Sequence, residues 1–283
     1  MHLDAVYASG FSGFIGKNLR LALLKKFPKV INFRRGGVHE IYSSDGSVKV
    51  VDNKYFIPTV GSKLFINAAA LYNATPRSQK ELSDLYLSNT TLPIELIDNY
   101  IGSKNLKIIQ LASYFQLVDL QFQTPYSLTK SLGMKYMENN YENLSFVYLF
   151  DTFGTNDNRN RVIDTFINNI IDRKSIKLPL KDLYINISHV SDICKAIVSC
   201  IDLPATSYCV MSENTLSLRC IAKKIMELVG NTVEVQTLPD TIDYFAQIDE
   251  NNLPKNIFPL SKNKNFVDQL RSRIIELKAS RLE

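Results

Sequence analysis

The sequence is poor in histidine and cysteine and lacks a long apolar run. It contains three histidines and four cysteines, and no two cysteines form a CxxC pair. We therefore predict no metal site and interpret the cysteines as reduced side chains of the core, at Cys194, Cys200, Cys209 and Cys220. No run approaches the ~20 apolar residues that cross a bilayer, and no signal-peptide core is found at the N-terminus, so a cytoplasmic protein is expected.

The sequence also lacks an excess of charge of one sign. Its 33 basic and 28 acidic residues give a formal net charge of +5, and the basic residues are scattered apart from small groups. This balance does not indicate a nucleic-acid partner. With 283 residues, of which 45% are hydrophobic and 22% charged, the chain can bury a sizeable core in one domain or in two unequal lobes.

Short apolar runs alternate with helical patterns through the first half of the chain. The runs are rich in β-branched and aromatic residues and cover residues 3–8, 29–33, 48–52, 63–67, 106–111 and 144–149. The helical patterns cover residues 17–27, 79–101, 125–140 and 160–173. Strands that are buried on both faces read as continuous apolar runs. The alternation therefore predicts an α/β fold with a doubly wound parallel sheet, a Rossmann fold.

This alternation loosens after residue 173. Mixed short segments follow, with helices predicted at residues 191–202, 217–230 and 263–281. We predict a Rossmann domain made mainly of residues 1–173 and a smaller substrate-binding lobe made mainly of residues 174–283, with the chain exchanging between the two. Residues 231–262 are expected to wall the substrate side.

Three glycines lie between the first predicted strand and the first predicted helix. Gly10, Gly13 and Gly16 form the string G-x-x-G-x-x-G within ASGFSGFIGKN. We expect Gly10 to make the tight turn, Gly13 to let the backbone approach a pyrophosphate, and Gly16 to let the helix pack on the sheet. Alone, such a string also suits an ordinary tight turn, but this position predicts a dinucleotide site. The other predicted cofactor residues of this loop are Ser12, Phe14 and Ile15.

The stretch PYSLTKS places a tyrosine and a lysine on one face of a helix. Tyr126 and Lys130 are four residues apart, and Ser113 ends a strand thirteen residues before Tyr126. An ammonium group one turn away, together with a positive nicotinamide ring, is expected to lower the phenol pKa from its ordinary ~10. Tyr126 would then exchange a proton with a substrate hydroxyl or carbonyl. Taken alone, this spacing is also typical of a surface helix.

Together these residues resemble one family, the extended short-chain dehydrogenase/reductases that act on nucleotide sugars. The resemblance runs over nearly the whole chain, through GFSGFIG, NAAA (67–70), Asn89, LAS ending at Ser113, YSLTK and HVSDICKAI (189–197). It implies a catalytic triad of Ser113, Tyr126 and Lys130, with Tyr126 as proton donor or acceptor and Lys130 on the nicotinamide ribose. It also implies cofactor contacts from Asp52 at the adenine and from Ala68, Ala69, Ala70 and Phe150.

The residues after the second strand bear on the choice of cofactor. An acidic side chain there would bind the ribose 2′-hydroxyl of NAD, whereas INFRRGG has no carboxylate and offers Arg34 and Arg35 to a 2′-phosphate. NADP(H) is therefore favoured over NAD(H), the alternative being that both arginines face water. Because family members that consume a reduced cofactor typically use NADPH, this favours a reductase.

The residues after Ser113 favour the same reaction. Family 4,6-dehydratases have an Asp-Glu pair directly after the serine or threonine, whereas this chain has Tyr114 and Phe115. Dehydration is therefore not expected. Epimerisation at C3 and C5 is not expected either, because it uses an extra cysteine and no cysteine precedes Cys194.

The stretches LASYFQ and VYLFDTFGTNDNRNRVI (147–163) resemble bacterial nucleotide-sugar 4-ketoreductases of the CDP-abequose synthase type, which make O-antigen sugars of lipopolysaccharide. Asp151 stands where family members hold the substrate with an asparagine. Arg159 and Arg161 are expected to clamp the nucleotide diphosphate, the alternative being that both face solvent. Tyr114, Phe115 and Gln116 are expected to border the sugar.

The sequence is compatible with three functions. The favoured one is NADPH-dependent reduction of the 4-keto group of a nucleotide-linked 6-deoxy or 3,6-dideoxy hexose, with a CDP-sugar preferred. An NAD-dependent 4-epimerase would have the same triad, and a non-catalytic NADP-binding protein would share the fold. Family habit also implies a homodimer, in which helices 79–101 and 125–140 pair into a four-helix interface.

Overall fold

The computed structural model describes residues 3–212, 215–239, 242–260 and 266–281. The strands are β1 (Ala5–Ser9), β2 (Lys29–Arg34), β3 (Val38–Ser43), β4 (Val48–Asp52), β5 (Lys63–Asn67), β6 (Leu106–Ser113), β7 (Leu144–Leu149), β8 (Asp151–Phe153), β9 (Ile176–Pro179), β10 (Tyr184–His189), β11 (Tyr208–Ser212), β12 (Thr215–Ser217), β13 (Val235–Leu238) and β14 (Asn256–Leu260). The helices are α1 (Phe14–Leu24), α2 (Gln79–Tyr86), α3 (Leu92–Leu96), α4 (Pro125–Asn140), α5 (Val162–Ile171), α6 (Val190–Ser199), α7 (Leu218–Val229) and α8 (Phe266–Ala279).

A nine-stranded sheet in the order β14-β11-β7-β6-β5-β1-β2-β3-β4 forms the centre of the fold. The pairs from β14 to β2 are parallel. Helices α1 and α6 cover one face through residues such as Leu19 and Ile197, and α3 and α4 cover the other through residues such as Leu96 and Met134. Because both faces are covered, the central strands are mostly apolar. The predicted α/β fold with a doubly wound, mostly parallel sheet is confirmed.

One edge of the sheet differs from the prediction. Strand β3 was not predicted; it lies antiparallel between β2 and β4, so that these three strands form a meander. Gly36 and Gly37 have φ angles of +90° and +77°, which let the chain reverse directly after β2. The glycine pair followed by VHEIYS, which contains β-branched and aromatic residues, was the available signal for this hairpin.

The helical segment 79–101 is continuous but uneven. Between α2 and α3, and again after α3, single turns at Leu87–Thr91 and Ile97–Ile101 have the wider hydrogen-bond spacing of a π-helix. The segment ends at Gly102, which has a φ angle of +75°. The first helix begins at Phe14 rather than at residue 17, because the glycine turn itself caps it.

The second half of the chain contributes to both parts of the molecule. Strands β11 and β14 extend the large sheet, and α6 packs against α1. Helices α5, α7 and α8 enclose a separate apolar core together with β9 and β10. The buried Arg273 links α8 to α5 by donating from Nε and Nη2 to the carboxylate of Asp164, at 2.9 and 2.7 Å.

For this half of the chain, one predicted core residue is exposed, and parts of two predicted segments lie outside the described residues. Cys194, Cys200 and Cys209 are buried, but Cys220 is exposed, so its assignment to the core is wrong. It lies on the outer side of α7, whose inner side buries Leu218, Ile221, Ala222 and Ile225. The start of the helix predicted at 263–281, and parts of the predicted wall 231–262, lie outside the described residues.

Candidate active site

Two adjoining cavities lie where β1, β5, β6 and β7 end. We call the cavity at the ends of β6 and β7 the inner cavity and the one over the glycine turn the glycine-loop cavity; their volumes are about 330 and 350 Å³. Ala68, Ala69 and Ala70, which follow β5, line both cavities and so join them into one groove. Parallel strands end at the same edge of a sheet, and this edge is where α/β folds bind ligands.

The three glycines of the turn have different structural roles. Gly10 has a φ angle of +88°, and a Cβ there would lie 2.4 Å from the Ala69 amide nitrogen. A Cβ on Gly16 would lie 2.0 Å from the Gly10 carbonyl oxygen. For Gly13 the nearest such atom is 3.4 Å away, and its φ of −76° suits any residue. The packing of the protein itself therefore requires Gly10 and Gly16 but not Gly13, which lines the glycine-loop cavity.

This end of the groove fits a dinucleotide pyrophosphate. Gly13 is the N-cap of α1 and offers no side-chain cap, so the amides of the first helical turn remain available to an anion. Ser12 lines the same cavity, and Ile15 lines the inner cavity. Phe14 and Gly16 are buried and line neither cavity. The Arg159 guanidinium packs 4.1 Å from the Phe14 ring centre.

The charged residues beyond β2 are not equivalent. Arg34 and Arg35 line the glycine-loop cavity, but Arg34 donates from Nη1 to Oε1 of Glu40 at 2.9 Å. Arg35 is exposed, and no described residue forms an ion pair with it. Asp52, expected at the adenine, is not brought to the groove. It ends the edge strand β4, which β3 separates from β2. Its carboxylate accepts a hydrogen bond from the Lys54 amide at 2.9 Å.

The inner cavity brings Ser113, Tyr126 and Lys130 together. Ser113 ends β6, and the other two residues lie in the first turns of α4, which Thr124 caps and Pro125 begins. The Lys130 Nζ donates to the Leu111 carbonyl at 2.9 Å and lies 6.0 Å from the Tyr126 ring centre.

Burial determines the proton affinities of this triad. It raises the pKa of Tyr126 to about 12, against the opposing effect of a hydrogen bond with Ser113. Burial also lowers the pKa of Lys130 to about 8. The lowering expected for Tyr126 is therefore not produced by the protein's own groups, because desolvation outweighs them. At neutral pH the phenol is protonated and can donate.

Gln116 holds Ser113 in position. Its Oε1 accepts a hydrogen bond from the Ser113 amide at 3.0 Å, and its Nε2 contacts the Ser131 hydroxyl and the Met134 sulfur at 3.4 and 2.8 Å. The side chain is buried against α4 and does not border the cavity, unlike the expectation from resemblance. Gln116 thus orients the serine from behind.

Asn89 fixes the loop that joins the two cavities. Its Oδ1 accepts from the Leu71 amide at 2.8 Å, and its Nδ2 donates to the Leu71 carbonyl at 3.0 Å and to the Thr129 hydroxyl at 3.1 Å. Asn89 lies in the first of the two widened helical turns. That distortion places an amide against both the loop and α4.

Aromatic rings form one wall of the inner cavity. Tyr114 stacks between Phe115 and Phe150, with ring centres 4.4 and 5.2 Å away. Tyr72 packs edge-on against Tyr126 at 4.9 Å. Tyr72 was not predicted; the available signal was an aromatic residue two positions after NAAA, in the loop that follows the central strand β5. From the predicted wall 231–262, Tyr244 packs against Phe115 at 5.1 Å.

The two arginines predicted as a clamp have different surroundings. Arg159 donates from Nε and Nη2 to the Asp157 carboxylate at 2.7 and 2.6 Å, and also to the Thr152 carbonyl. Arg161 lies 4.4 Å from the Tyr72 ring centre, and among the described residues its guanidinium has no hydrogen-bond acceptor. Arg161 is therefore available to an anion, whereas Arg159 is held.

Asp151 adds a carboxyl group to the inner cavity. Burial raises its pKa to about 6, against the opposing effects of Arg161, Arg159 and a hydrogen bond with Tyr114. Among the described residues no cluster of histidine, cysteine, aspartate and glutamate could hold a metal ion. Nor does any helix in the described ranges have the length and apolarity to cross a membrane.

A glycine turn after the first strand of a parallel sheet, with a serine, a tyrosine and a lysine at the adjoining strand end, defines a short-chain dehydrogenase/reductase. A family model described as the NAD dependent epimerase/dehydratase family matches residues 6–208. The chain belongs to this family of nicotinamide dinucleotide-dependent, oxidoreductase-type enzymes, as the sequence resemblance predicted.

Similar proteins span almost the whole chain. CDP-abequose synthase from Yersinia pseudotuberculosis is 23% identical over 262 residues, which cover 88% of this chain and 86% of that protein. A UDP-glucuronic acid 4-epimerase from Bacillus cereus, in complex with a UDP-sugar and NAD, gives a TM-score of 0.73 at 14% identity and covers 97% of this chain and 99% of its own. A dTDP-glucose 4,6-dehydratase from Bacillus anthracis, in complex with NAD, gives 0.67 at 16%, with 97% and 96% covered. At these identities the two solved structures establish the fold.

Proposed function

We propose that this protein is an NADPH-dependent reductase of the 4-keto group of a nucleotide-linked 6-deoxy or 3,6-dideoxy hexose, preferably a CDP-sugar. The observation that carries the proposal is the pair of hydroxyl groups of Ser113 and protonated Tyr126 in the inner cavity, next to the dinucleotide groove. A ketone is reduced when it receives a hydride at carbon and a proton at oxygen. The two hydroxyl groups meet the need for a proton at the oxygen.

The bound cofactor would supply the hydride to C4. Ser113 and Tyr126 would donate hydrogen bonds to the ketone oxygen, and Tyr126 would transfer its proton as negative charge develops there. Burial keeps Tyr126 in the donor form, since its pKa is about 12. Lys130, whose positive charge is retained below its pKa of about 8, would stabilise the phenolate and hold the nicotinamide ribose.

The surroundings of Ser113 support reduction over dehydration. Tyr114 is stacked between two rings, and burial raises the pKa of its phenol far above the ordinary value. Phe115 has no titratable group. Neither side chain can act as the acid-base pair that eliminates water. The sequence similarity to CDP-abequose synthase supports the same choice and a role in making sugars of bacterial surface polysaccharide.

The other charged groups of the inner cavity fit a nucleotide sugar. Arg161 is free to pair with the diphosphate, while Asp151 and Tyr114 can accept or donate hydrogen bonds to sugar hydroxyls. Arg159 serves instead to fix the loop through Asp157. We assign substrate contact to Arg161 and Asp151 and a supporting role to Arg159.

A second candidate function is that of an NAD-dependent 4-epimerase. The Arg34–Glu40 ion pair favours it, because it neutralises one of the two cations expected to select NADPH. The structural likeness to an epimerase bound to NAD is compatible with it. An epimerase would keep NAD bound through purification and produce no net oxidation.

We also propose that the protein forms a homodimer. The outer faces of the 79–101 segment and α4 leave six large apolar side chains 42–54% exposed, at Leu82, Tyr86, Leu87, Leu128, Leu132 and Tyr136. Pairing these faces across a two-fold axis would bury the apolar patch. Sedimentation analysis of Leu132→Glu should then show a monomer.

The reaction is tested by the absorbance of the reduced nicotinamide while the protein meets NADPH and CDP-, dTDP-, UDP- or GDP-linked 4-keto-6-deoxy sugars. NADH is tested in parallel. Stoichiometric loss of NADPH with one sugar would support the reductase and identify its nucleotide. No loss with any sugar, together with NAD found in the purified protein, would favour the epimerase instead.

A further inference from the structure

The hairpin that follows β2 places a carboxylate next to the glycine-loop cavity. Glu40 on β3 lies directly opposite Asn32 on β2 in the antiparallel register. Along the chain, Arg34 ends β2 and Arg35 follows it, whereas Glu40 comes five residues later, on β3. The sheet pairing therefore supplies an acidic residue that linear inspection of the cofactor loop misses.

Glu40 is held by three donors. Its Oε1 accepts from Arg34 Nη1 at 2.9 Å, and its Oε2 accepts from Asn32 Nδ2 at 3.0 Å and from the Tyr42 hydroxyl at 2.8 Å. Its side chain is 12% exposed, against 53% for Arg34. Asn32 continues the network to the glycine turn, because its Oδ1 accepts from the Phe11 amide at 3.3 Å. The carboxylate is thus held by the sheet, whereas the guanidinium is the more exposed partner.

Arg34 lies between two spaces. It lines the glycine-loop cavity and also a third cavity of about 390 Å³, whose lining includes Lys17, Arg20 and Glu40. Ser12 of the glycine turn lines both spaces as well. A phosphate on the adenosine ribose would therefore meet Arg34 at the junction, with Glu40 beside it.

We propose that Glu40 is a cofactor-specificity residue, which withholds Arg34 from a 2′-phosphate and so limits the preference for NADPH over NADH. This deepens the proposed function, since it requires that the groove bind a nicotinamide dinucleotide. The carboxylate repels a 2′-phosphate dianion and competes with it for the guanidinium. A 2′-hydroxyl, being neutral, is affected by neither. When Arg34 moves to the phosphate, Asn32 and Tyr42 still donate hydrogen bonds to Glu40, so the carboxylate loses its ion pair but remains hydrogen-bonded.

The test is the binding of NADP⁺ and NAD⁺ to the full chain, measured by calorimetry for the wild type and Glu40→Gln. Glutamine keeps an acceptor oxygen and removes the charge. We expect NADP⁺ affinity to rise about fivefold and NAD⁺ affinity to stay within about twofold, as befits a half-exposed ion pair. An unchanged ratio of the two affinities, or a selective loss of NAD⁺ affinity, would overturn the proposal.

Two further variants show whether the effect passes through Arg34. In the Arg34→Gln background, Glu40→Gln should give a smaller gain in NADP⁺ affinity than in the wild type, because only the direct repulsion of the phosphate is then relieved; an undiminished gain would contradict the proposal. Should Glu40→Gln fail to fold, Arg34→Gln alone is compared with its exposed neighbour, Arg35→Gln. We expect the Arg34 variant to lose less NADP⁺ affinity than the Arg35 variant, and the reverse order would overturn the inference.

The wild-type ratio tests the proposed function separately. If the wild type binds NAD⁺ more tightly than NADP⁺, the NADPH assignment fails. The Glu40 effect is still measured by the change in the ratio upon substitution. Titration of adenosine 2′,5′-bisphosphate and adenosine 5′-phosphate as probes repeats the comparison without the nicotinamide half, and the same shift should appear.

Discussion

The inner cavity and the glycine-loop cavity acquire their chemistry in different ways. In the inner cavity the functional groups are buried, and desolvation moves the pKa of Tyr126 to about 12 and that of Lys130 to about 8. At the glycine loop the binding groups are backbone amides, and Arg34 and Arg35 remain largely exposed. The chemistry of the inner cavity therefore depends on the protonation of individual side chains. Binding at the glycine-loop cavity depends on backbone conformation and on charges that solvent and salt screen.

The largest expected effect comes from removing the proton donor of the inner cavity. Tyr126→Phe keeps the ring that packs against Tyr72 but removes the hydroxyl. We expect turnover of the keto-sugar to fall about 10²- to 10⁴-fold, with cofactor affinity within about threefold of the wild type. Stopped-flow absorbance measures turnover, and calorimetry measures binding. A variant that retains more than a tenth of the rate would contradict the role of Tyr126.

Glycine substitutions at the glycine-loop cavity distinguish effects on the packing of the turn from effects on dinucleotide binding. Gly16→Ala puts a Cβ against the Gly10 carbonyl and should lower the free energy of unfolding by about 2–4 kcal/mol. Gly13→Ala meets no such contact, so the unfolding free energy should change by less than about 1 kcal/mol while dinucleotide affinity falls at least tenfold. Denaturant melts and titrations provide both readouts. Equal loss of stability in the two variants would contradict the assignment of a packing role to Gly16 and a ligand-binding role to Gly13.

Arg159 and Arg161 offer a matched pair at the inner cavity. Arg159→Gln leaves the Asp157 carboxylate, whose side chain is 1% exposed, without its ion pair and should cost about 2–3 kcal/mol of stability. Arg161→Gln should leave stability within about 0.5 kcal/mol and raise the KM for the nucleotide sugar about tenfold. Thermal unfolding and steady-state kinetics test the pair. A similar stability loss in both variants would argue against a free Arg161.

The smallest effect concerns the pH dependence of stability at Asp151. Its pKa is raised to about 6 by burial, so between its unfolded value and pH 6 the folded state binds more protons than the unfolded state. Stability of the wild type is therefore lost as pH rises through this window. Asp151→Asn removes that loss. Its stability advantage over the wild type should therefore be larger at pH 7.5 than at pH 4, by about 2 kcal/mol. Urea melts at both pH values measure it, and a pH-independent difference would show that Asp151 titrates normally.

Most of the groove could be predicted from local sequence. The predicted site residues from the glycine turn, the NAAA stretch, Ser113 and the Tyr126/Lys130 spacing converge because each follows a strand or begins a helix at the same sheet edge. Asp52 lines neither cavity of the groove, because β3, an unpredicted strand, separates its strand from β2. Gln116 is only three residues after Ser113, but the tight turn after β6 places its side chain against α4.

The sequence by itself determined the parallel core, the glycine turn and the pairing of tyrosine with lysine, because apolar runs, backbone freedom and helical spacing are local properties of the chain. The tertiary structure decided which charges act. It paired Arg159 with Asp157 and left Arg161 without an ion pair among the described residues, brought Glu40 across the hairpin to Arg34, and raised the pKa of Tyr126 by burial. Partners across a sheet and the depth of burial arise from residues far apart in the chain, and spacing along the sequence does not encode them directly.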